Sequence, residues 1–215
     1  QQGLGAVALR DGAALFQERL DAQAFVGQHL RDAGSGIADL LGDQRFARLL
    51  FLGEEQGEMF LHLFALRVPV VAALTGPAIA GGAVLAFACD ERVAPLDGRF
   101  EMGLNEVALG LPFPSGALEI ARYAVDPSQH VEVLMKGKRF DRGESLDRGL
   151  VDELARDVVA AAVDRARGYA GLGARAVQKT KLDLRHDALT RARARAIESR
   201  RIFVESWFDP KNVAL

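Results

Sequence analysis

The sequence has few residues of the types that build metal sites and disulfides. Its one cysteine, Cys89, excludes an internal disulfide and a cysteine-based metal cluster. Cys89 falls on a predicted buried helix, where an inert core thiol is the better interpretation than a nucleophile. The histidines are scattered, with no partner at metal-ligand spacing; they are His29, His62, His130 and His186. We therefore expect no metal site.

Charge of one sign is not in excess either. The net charge is −2, so no global field attracts nucleic acid or anionic lipid. The arginine run from Arg191 to Arg201 is interspersed with acidic residues, which favours a solvated or subunit-facing helix over a nucleic-acid site. We expect neither a nucleic-acid partner nor a membrane partner.

Two further motifs are missing. Ser115 lies in PFPSGA and not in a Gly-x-Ser-x-Gly elbow, so the sequence does not predict a serine hydrolase. The first residues, QQGLGAVALRDG, show no basic start followed by an apolar core, which is the pattern of a secretory signal. The expected location is the cytoplasm.

The sequence does contain one long uncharged stretch, from Val68 to Cys89. Its length allows a membrane span of roughly 20 residues. The turn residues that interrupt it, Gly76-Pro77 and Gly81-Gly82, indicate a soluble core instead. Val68–Leu74 predicts a strand buried on both faces, and Gly81-Gly82 precede a predicted helix over Ala83–Cys89. Backbone N–H groups at such a helix start can hold an anion, or an oxygen that becomes one. The alternative is that the glycine pair merely allows close packing of strand and helix.

Strands that alternate with helices along the chain indicate the α/β class. A hairpin is predicted around Asp11-Gly12, and further strands over Phe46–Leu52 and Arg99–Met102. The residues after 154 are predicted to be helical throughout. We divide the chain into a core domain, 1–154, and a helical C-terminal extension, 155–215, which takes part in oligomerisation.

Three ordered segments resemble the crotonase (enoyl-CoA hydratase/isomerase) superfamily. They are PVVAALTGPAIAGGAVLAFACDERVA, then RFEMGLNEVALGL, and then LMKGKRFDRGESLDRGLVDEL, which together cover about residues 67–154. The resemblance implies a spiral of strands and helices that binds an acyl-CoA thioester. Coenzyme A would be part of the substrate, and no other cofactor is implied.

The resemblance also implies a reaction through a thioester enolate, held by two backbone N–H groups. Gly81 matches the position of the second donor. The first donor in the family comes from an earlier loop with a small residue, Gly and Asp. Residues 33–40 (AGSGIADL) are similar to it, although no clear strand precedes them, and the Phe46–Leu52 strand is followed by too short a loop.

The carboxylates discriminate between reactions within the superfamily. Its hydratases carry two glutamates, and here Val84 stands at the first position while Glu106 keeps the second. The motif GLNE most resembles the corresponding motif of the 3,2-enoyl-CoA isomerases, for which one carboxylate suffices as proton shuttle. Glu101 and Glu119 are competing candidates. Apolar neighbours at 104, 107 and 109 are expected to desolvate Glu106 and raise its pKa.

The sequence thus predicts an enoyl-CoA isomerase with Glu106 as base and Gly81 as oxyanion donor. Hydration, other enolate chemistry on acyl-CoA, and a non-catalytic protein that binds acyl-CoA or a partner all stay open. Large apolar residues in the tail predict a homotrimer or homohexamer, as the resemblance also implies; they are Ile197, Ile202, Phe203, Val204, Trp207 and Phe208.

Overall fold

A computed structural model describes residues 7–10, 13–14, 54–207 and 209. The elements before residue 100 alternate as the sequence predicts. They are β1 (Val7–Arg10), β2 (Ala13–Ala14), α1 (Glu54–Phe64), β3 (Val70–Ala73), β4 (Ala78–Ile79), α2 (Gly81–Ala88) and β5 (Glu91–Pro95).

The second half of the described chain is mainly helical. Its elements are β6 (Glu101–Gly103), α3 (Ser115–Ala124), β7 (Arg139–Asp141), α4 (Arg142–Asp147), β8 (Glu153–Ala155), α5 (Val158–Gly168), α6 (Ala174–Ala194) and α7 (Ala196–Trp207). Short 3₁₀ turns cover Val107–Leu109 and Pro127–Gln129, and a π-helical turn covers Val131–Met135. No helix in the described ranges is long and apolar enough to cross a membrane.

Two small sheets organise these elements. The larger has the order β2-β1-β3-β5-β8 and is parallel except for the β1–β2 pair, in which Arg10 faces Ala13. That antiparallel pair flanks Asp11-Gly12, as the predicted hairpin requires. The smaller sheet has the order β4-β6-β7, with β4 and β6 parallel and β7 antiparallel to β6.

Strand β3 is buried on both faces, as its run of small apolar residues predicts. Val71 and Ala73 pack with α5 on one side, while Val70 and Ala72 pack with Cys89 on the other. Burial raises the pKa of the Cys89 thiol to about 12, so this cysteine is the inert core residue that the sequence predicts.

The main hydrophobic core lies around α2, which contributes Ala83, Val84 and Phe87. Helix α3 adds Ile120, and α6 adds Leu189 to the same cluster. The proposed division of the chain at residue 154 stays a prediction.

Several boundaries differ from the sequence prediction. In the C-terminal extension, which the sequence predicts to be helical throughout, α6 continues without interruption to Ala194, and a break at Arg195 precedes α7. Strands β7 and β8 were not predicted, since three residues give too short a pattern to recognise. The predicted strand Phe46–Leu52 and the predicted first oxyanion loop, 33–40, lie outside the described residues.

Candidate active site

The glycine turn begins where the parallel strand β4 ends. Ala80 donates its backbone N–H to the carbonyl oxygen of Gly103 at 2.9 Å, and its own carbonyl accepts from Val84 N–H at 3.0 Å. The first bond ties the start of α2 to the end of β6, and the second belongs to the first turn of α2 itself. Ala80 has φ 52° and ψ −124° and is the only non-glycine residue with positive φ in the described part of the chain. Such backbone costs about 1–3 kcal/mol and is concentrated at functional sites.

The N-terminus of α2 faces open space. Gly81 is exposed, and a Cβ atom built on Gly82 would meet nothing within 4 Å. No acidic residue lies in the first turn, and no side chain caps it. The first N–H groups of a helix have no intrahelical partner, and the helix dipole is positive there. The role of Gly81 as an oxyanion donor stays a prediction.

Glu106 follows the neighbouring strand of the same small sheet. Strands β4 and β6 are parallel, with Ala78 opposite Met102 and Ile79 opposite Gly103. Gly81 and Glu106 both come shortly after the carboxyl ends of these paired strands, so they lie at the same edge of the sheet. Ligands in α/β proteins bind outside such ends. The structure therefore brings the two predicted site segments together.

The Glu106 side chain is half-buried, and no charged group among the described residues compensates its carboxylate. Its Oε2 atom is inaccessible and has no hydrogen-bond partner. Desolvation raises the pKa of Glu106 to about 7, and a backbone hydrogen bond offsets this only in part. A carboxyl group with a pKa near neutrality can take up and release a proton at physiological pH.

The predicted reason for this burial is only partly correct. Leu104 is fully buried, but Val107 and Leu109 are exposed. The turn is held instead by the Glu106 carbonyl oxygen, which accepts from Leu109 N–H at 3.0 Å and from Leu111 N–H at 2.9 Å. Of the three apolar neighbours, only Leu104 is therefore inside the protein.

The two competing carboxylates are engaged elsewhere. Glu101 lies 3.4 Å from Arg139 in an ion pair across β6 and β7. Glu119 is buried, and its two oxygens accept from Arg122 at 3.0 Å and from Arg191 at 2.8 Å. Each therefore has a structural partner that Glu106 lacks.

The position that would carry a second carboxylate is apolar. Val84 is 1% exposed and belongs to the hydrophobic core. No residue of α2 can ionise, because the helix reads GGAVLAFA. Among the residues that the structure describes, Glu106 has no carboxylate partner on the helix that precedes it.

Other candidate groups also have structural explanations. Ser115 donates its hydroxyl to the Ala192 carbonyl at 2.7 Å, and its N–H donates to Ser199 Oγ. His130 contacts the Val125 carbonyl through Nε2 at 3.1 Å. No group of three or more potential metal ligands occurs within the described ranges.

The C-terminal end of α2 carries a polar cluster that the sequence did not indicate. Arg185 is 1% exposed and donates to the carbonyl oxygens of Phe64, Ala88 and Cys89 and to Asp90 Oδ1. Lys181 donates to Asp90 Oδ2 at 2.6 Å. Cations at a helix C-terminus are favoured by the dipole. The cluster joins α6 to the end of α2.

Two site residues were also missed. Asn105 has a buried Oδ1 without a partner, next to Glu106 in the chain. Ala80 carries the strained turn before Gly81. Asn105 lies within the GLNE motif, and this motif is the only sequence feature that indicated a role for it. The strain at Ala80 follows from sheet pairing and has no signal in the sequence.

The comparisons with known proteins indicate one family. The profile of the family described as enoyl-CoA hydratase/isomerase matches residues 33–214. The alpha subunit of the fatty acid oxidation complex of Shewanella loihica is 33% identical over 131 residues, which are 61% of this chain and 18% of that protein. The chain thus spans less than a fifth of that relative.

Solved structures of similar fold carry both activities in their names. An enoyl-CoA hydratase of Mycobacterium ulcerans is 32% identical, with a TM-score of 0.63 over 84% of this chain and 73% of that one. An enoyl-CoA isomerase of Mycobacterium tuberculosis is 29% identical, with a TM-score of 0.69 over 94% and 95%. Human mitochondrial delta3-delta2-enoyl-CoA isomerase is 22% identical, with a TM-score of 0.68 over 84% and 67%, and shows the fold alone.

Proposed function

The chain belongs to the enoyl-CoA hydratase/isomerase family, and we propose that within it this protein shifts a double bond of an enoyl-CoA through a thioester enolate. The observation that carries the proposal is the Glu106 carboxyl group, whose buried Oε2 atom has no hydrogen-bond partner and whose pKa desolvation raises to about 7. It lies at the same sheet edge as the open helix start at Gly81.

In this proposal Glu106 removes a proton from the α carbon of a 3-enoyl thioester. The C–H electrons move into the thioester as the enolate forms, and Gly81 N–H donates to the developing oxyanion. Glu106 then returns the proton to the γ carbon, which leaves the double bond between the α and β carbons. One oxyanion donor is typically worth about 3–4 kcal/mol of the barrier. Coenzyme A enters only as part of the substrate.

The choice of isomerisation over hydration rests on Val84. Addition of water requires a base for the water and an acid for the carbon, a task that two carboxylates share. The buried valine leaves Glu106 alone in the described residues. The named relatives include hydratases, so hydration is the second candidate function.

Separate assays of the two substrates test the proposal. We expect rapid conversion of 3-enoyl-CoA to 2-enoyl-CoA and slow or undetectable hydration of 2-enoyl-CoA. The absorbance of the conjugated thioester measures both reactions. Efficient hydration would show that another acid reaches the site and would overturn the assignment from Val84. No turnover of either thioester, with acyl-CoA binding retained, would favour a binding protein.

We also propose a trimer or hexamer with the tail helices in the contact. Ile197 is 87% exposed and Ile202 is 39% exposed, whereas Phe203 packs inside the protein. Closed symmetry would cover the exposed apolar positions. Light scattering at micromolar concentration checks this, and the mass of a monomer would contradict it.

A further inference from the structure

Two consecutive residues of the candidate site carry buried acceptor atoms without hydrogen-bond partners. They are Asn105 Oδ1 and Glu106 Oε2. The other unpaired buried side-chain atoms in the described chain are Nε atoms of Arg92 and Arg185, whose remaining guanidinium nitrogens are bonded. The unpaired acceptors are therefore confined to the candidate site.

A buried acceptor without a donor costs about 1–3 kcal/mol, and two of them on adjacent residues can share one donor. The enoyl chain offers none near its α and γ carbons, which bear only C–H groups. A water molecule carries two donors, and buried waters typically bridge otherwise unsatisfied polar groups. The site requires such a donor whether or not substrate is bound.

We propose that Asn105 is a positioning residue, whose Oδ1 orients a bridging water that hydrogen-bonds to Glu106 Oε2. The inference rests on the proposed function for its meaning in catalysis. The water donates one hydrogen to Asn105 and the other to the Glu106 carboxylate. When Glu106 holds the proton on its other oxygen, which faces the substrate, the water still donates to Oε2, so the carboxyl group keeps its orientation until the proton returns to the γ carbon. No atom of the water is consumed.

No charged side chain performs this role in the described residues. Helix α2 has no ionisable residue. On the neighbouring strands Arg139 pairs with Glu101, while Lys138 pairs with Glu144 at 2.8 Å. On α3, Glu119 is held by two arginines. Burial and its own backbone hydrogen bond are the causes that set the pKa of Glu106.

Gly137 packs against the turn that contains Asn105 and Ala108. Its backbone approaches so closely that a Cβ atom there would lie 3.0 Å from Ala108 Cβ and 3.5 Å from Asn105 Cα. Its φ of 61° is readily adopted only by glycine. The backbone of Gly137 thus packs closely against the turn that carries Asn105.

Infrared titration of the Glu106 carboxyl group in the substrate-free protein tests the inference without relying on turnover. Asn105→Leu removes the acceptor at similar volume, so the carboxylate loses an oriented water, and the pKa of Glu106 should rise by about one unit. Asn105→Ser keeps a buried hydroxyl and should restore much of the wild-type value. An unchanged pKa in folded Asn105→Leu would overturn the inference.

Kinetics give the second readout. In Asn105→Leu we expect kcat for 3-enoyl-CoA to fall about 10-fold at neutral pH with little change in KM, while the pH limb of kcat/KM moves upward. Glu101→Gln, a nearby surface carboxylate, is the matched control. If the wild type turns over no thioester, the proposed function fails, while the infrared result still decides the role of Asn105.

A crystal structure of the unmodified protein avoids dependence on any variant. We expect an ordered water about 2.7–3.2 Å from both Asn105 Oδ1 and Glu106 Oε2. Protein donors on both atoms in their place would overturn the proposal.

Discussion

The two ends of helix α2 are built on opposite principles. At the C-terminal end, the guanidinium of Arg185 satisfies three carbonyl groups and Asp90, and Lys181 pairs with the same carboxylate. Near the N-terminal end, Gly81 is exposed, and Glu106, which follows the neighbouring strand β6, has a buried Oε2 atom without a hydrogen-bond partner. Hydrogen bonds and ion pairs bind one end of this eight-residue helix to the protein, whereas the other end lies at the site of the proposed function.

The largest expected effect comes from breaking the anchored end. Arg185→Leu removes the donor to three carbonyl groups and one of the two cations that pair with Asp90, which should cost about 3–5 kcal/mol of unfolding free energy. Urea denaturation measures this. Arg193→Leu, an exposed arginine of the same helix, should change stability by less than about 0.5 kcal/mol. Equal losses in both variants would contradict the anchoring role.

Near the N-terminal end of α2, the pH dependence of the unfolding free energy should reveal the cost of burying the Glu106 carboxyl group. Folding raises the pKa of Glu106 from 4.5 to about 7, so the unfolded chain releases this proton at lower pH than the folded protein does. Stability must then fall as pH rises from about 4.5 to 7, by up to about 3 kcal/mol, and level off above.

Glu106→Gln removes that titration. The variant should gain stability relative to the wild type across this pH window, whereas Glu101→Gln should not. Thermal or urea unfolding at pH 5, 6, 7 and 8 provides the comparison. A wild type and a Gln variant with parallel pH curves would show that the carboxyl group is solvated.

The same substitution should abolish most of the proposed activity. Gln keeps the size of Glu106 but is not a base, so isomerase turnover should fall by about 10²-fold or more, equivalent to about 2.7 kcal/mol or more of barrier. Steady-state assays with 3-enoyl-CoA measure this. Retained activity in folded Glu106→Gln would exclude Glu106 as the proton shuttle.

The smallest expected effect concerns the strained turn. Ala80→Gly relieves backbone strain but raises the entropy of the unfolded chain, so stability should change by no more than about 1 kcal/mol. Ala80→Val keeps the strain and adds a β-branched side chain, and it should destabilise the protein clearly. Calorimetry of both variants checks the order. Equally small effects of both substitutions would contradict backbone strain at Ala80.

The sequence predicted the candidate residues near the N-terminal end of α2 but not the polar cluster at its C-terminal end. Gly81 and Glu106 sit in ordered segments with a recognisable pattern, so their roles as candidates followed from the chain alone. Arg185 and Asp90 are far apart in sequence, and the spacing between them carries no periodic signal. A long-range ion pair of this kind depends on how α6 packs against α2.

The sequence by itself determined the family, the buried strand β3, the glycine turn before α2 and the lone carboxylate opposite Val84. These features are local, since they depend on composition, on backbone freedom at glycine and on a short ordered pattern. The tertiary structure alone decided that the Oε2 atom of Glu106 is buried although two of the apolar neighbours of this residue are exposed. It also decided that Ala80 is strained and that Asn105 lacks a donor. Burial and hydrogen-bond satisfaction are properties of contacts between distant segments, so they exist only once β4, β6 and α2 have come together.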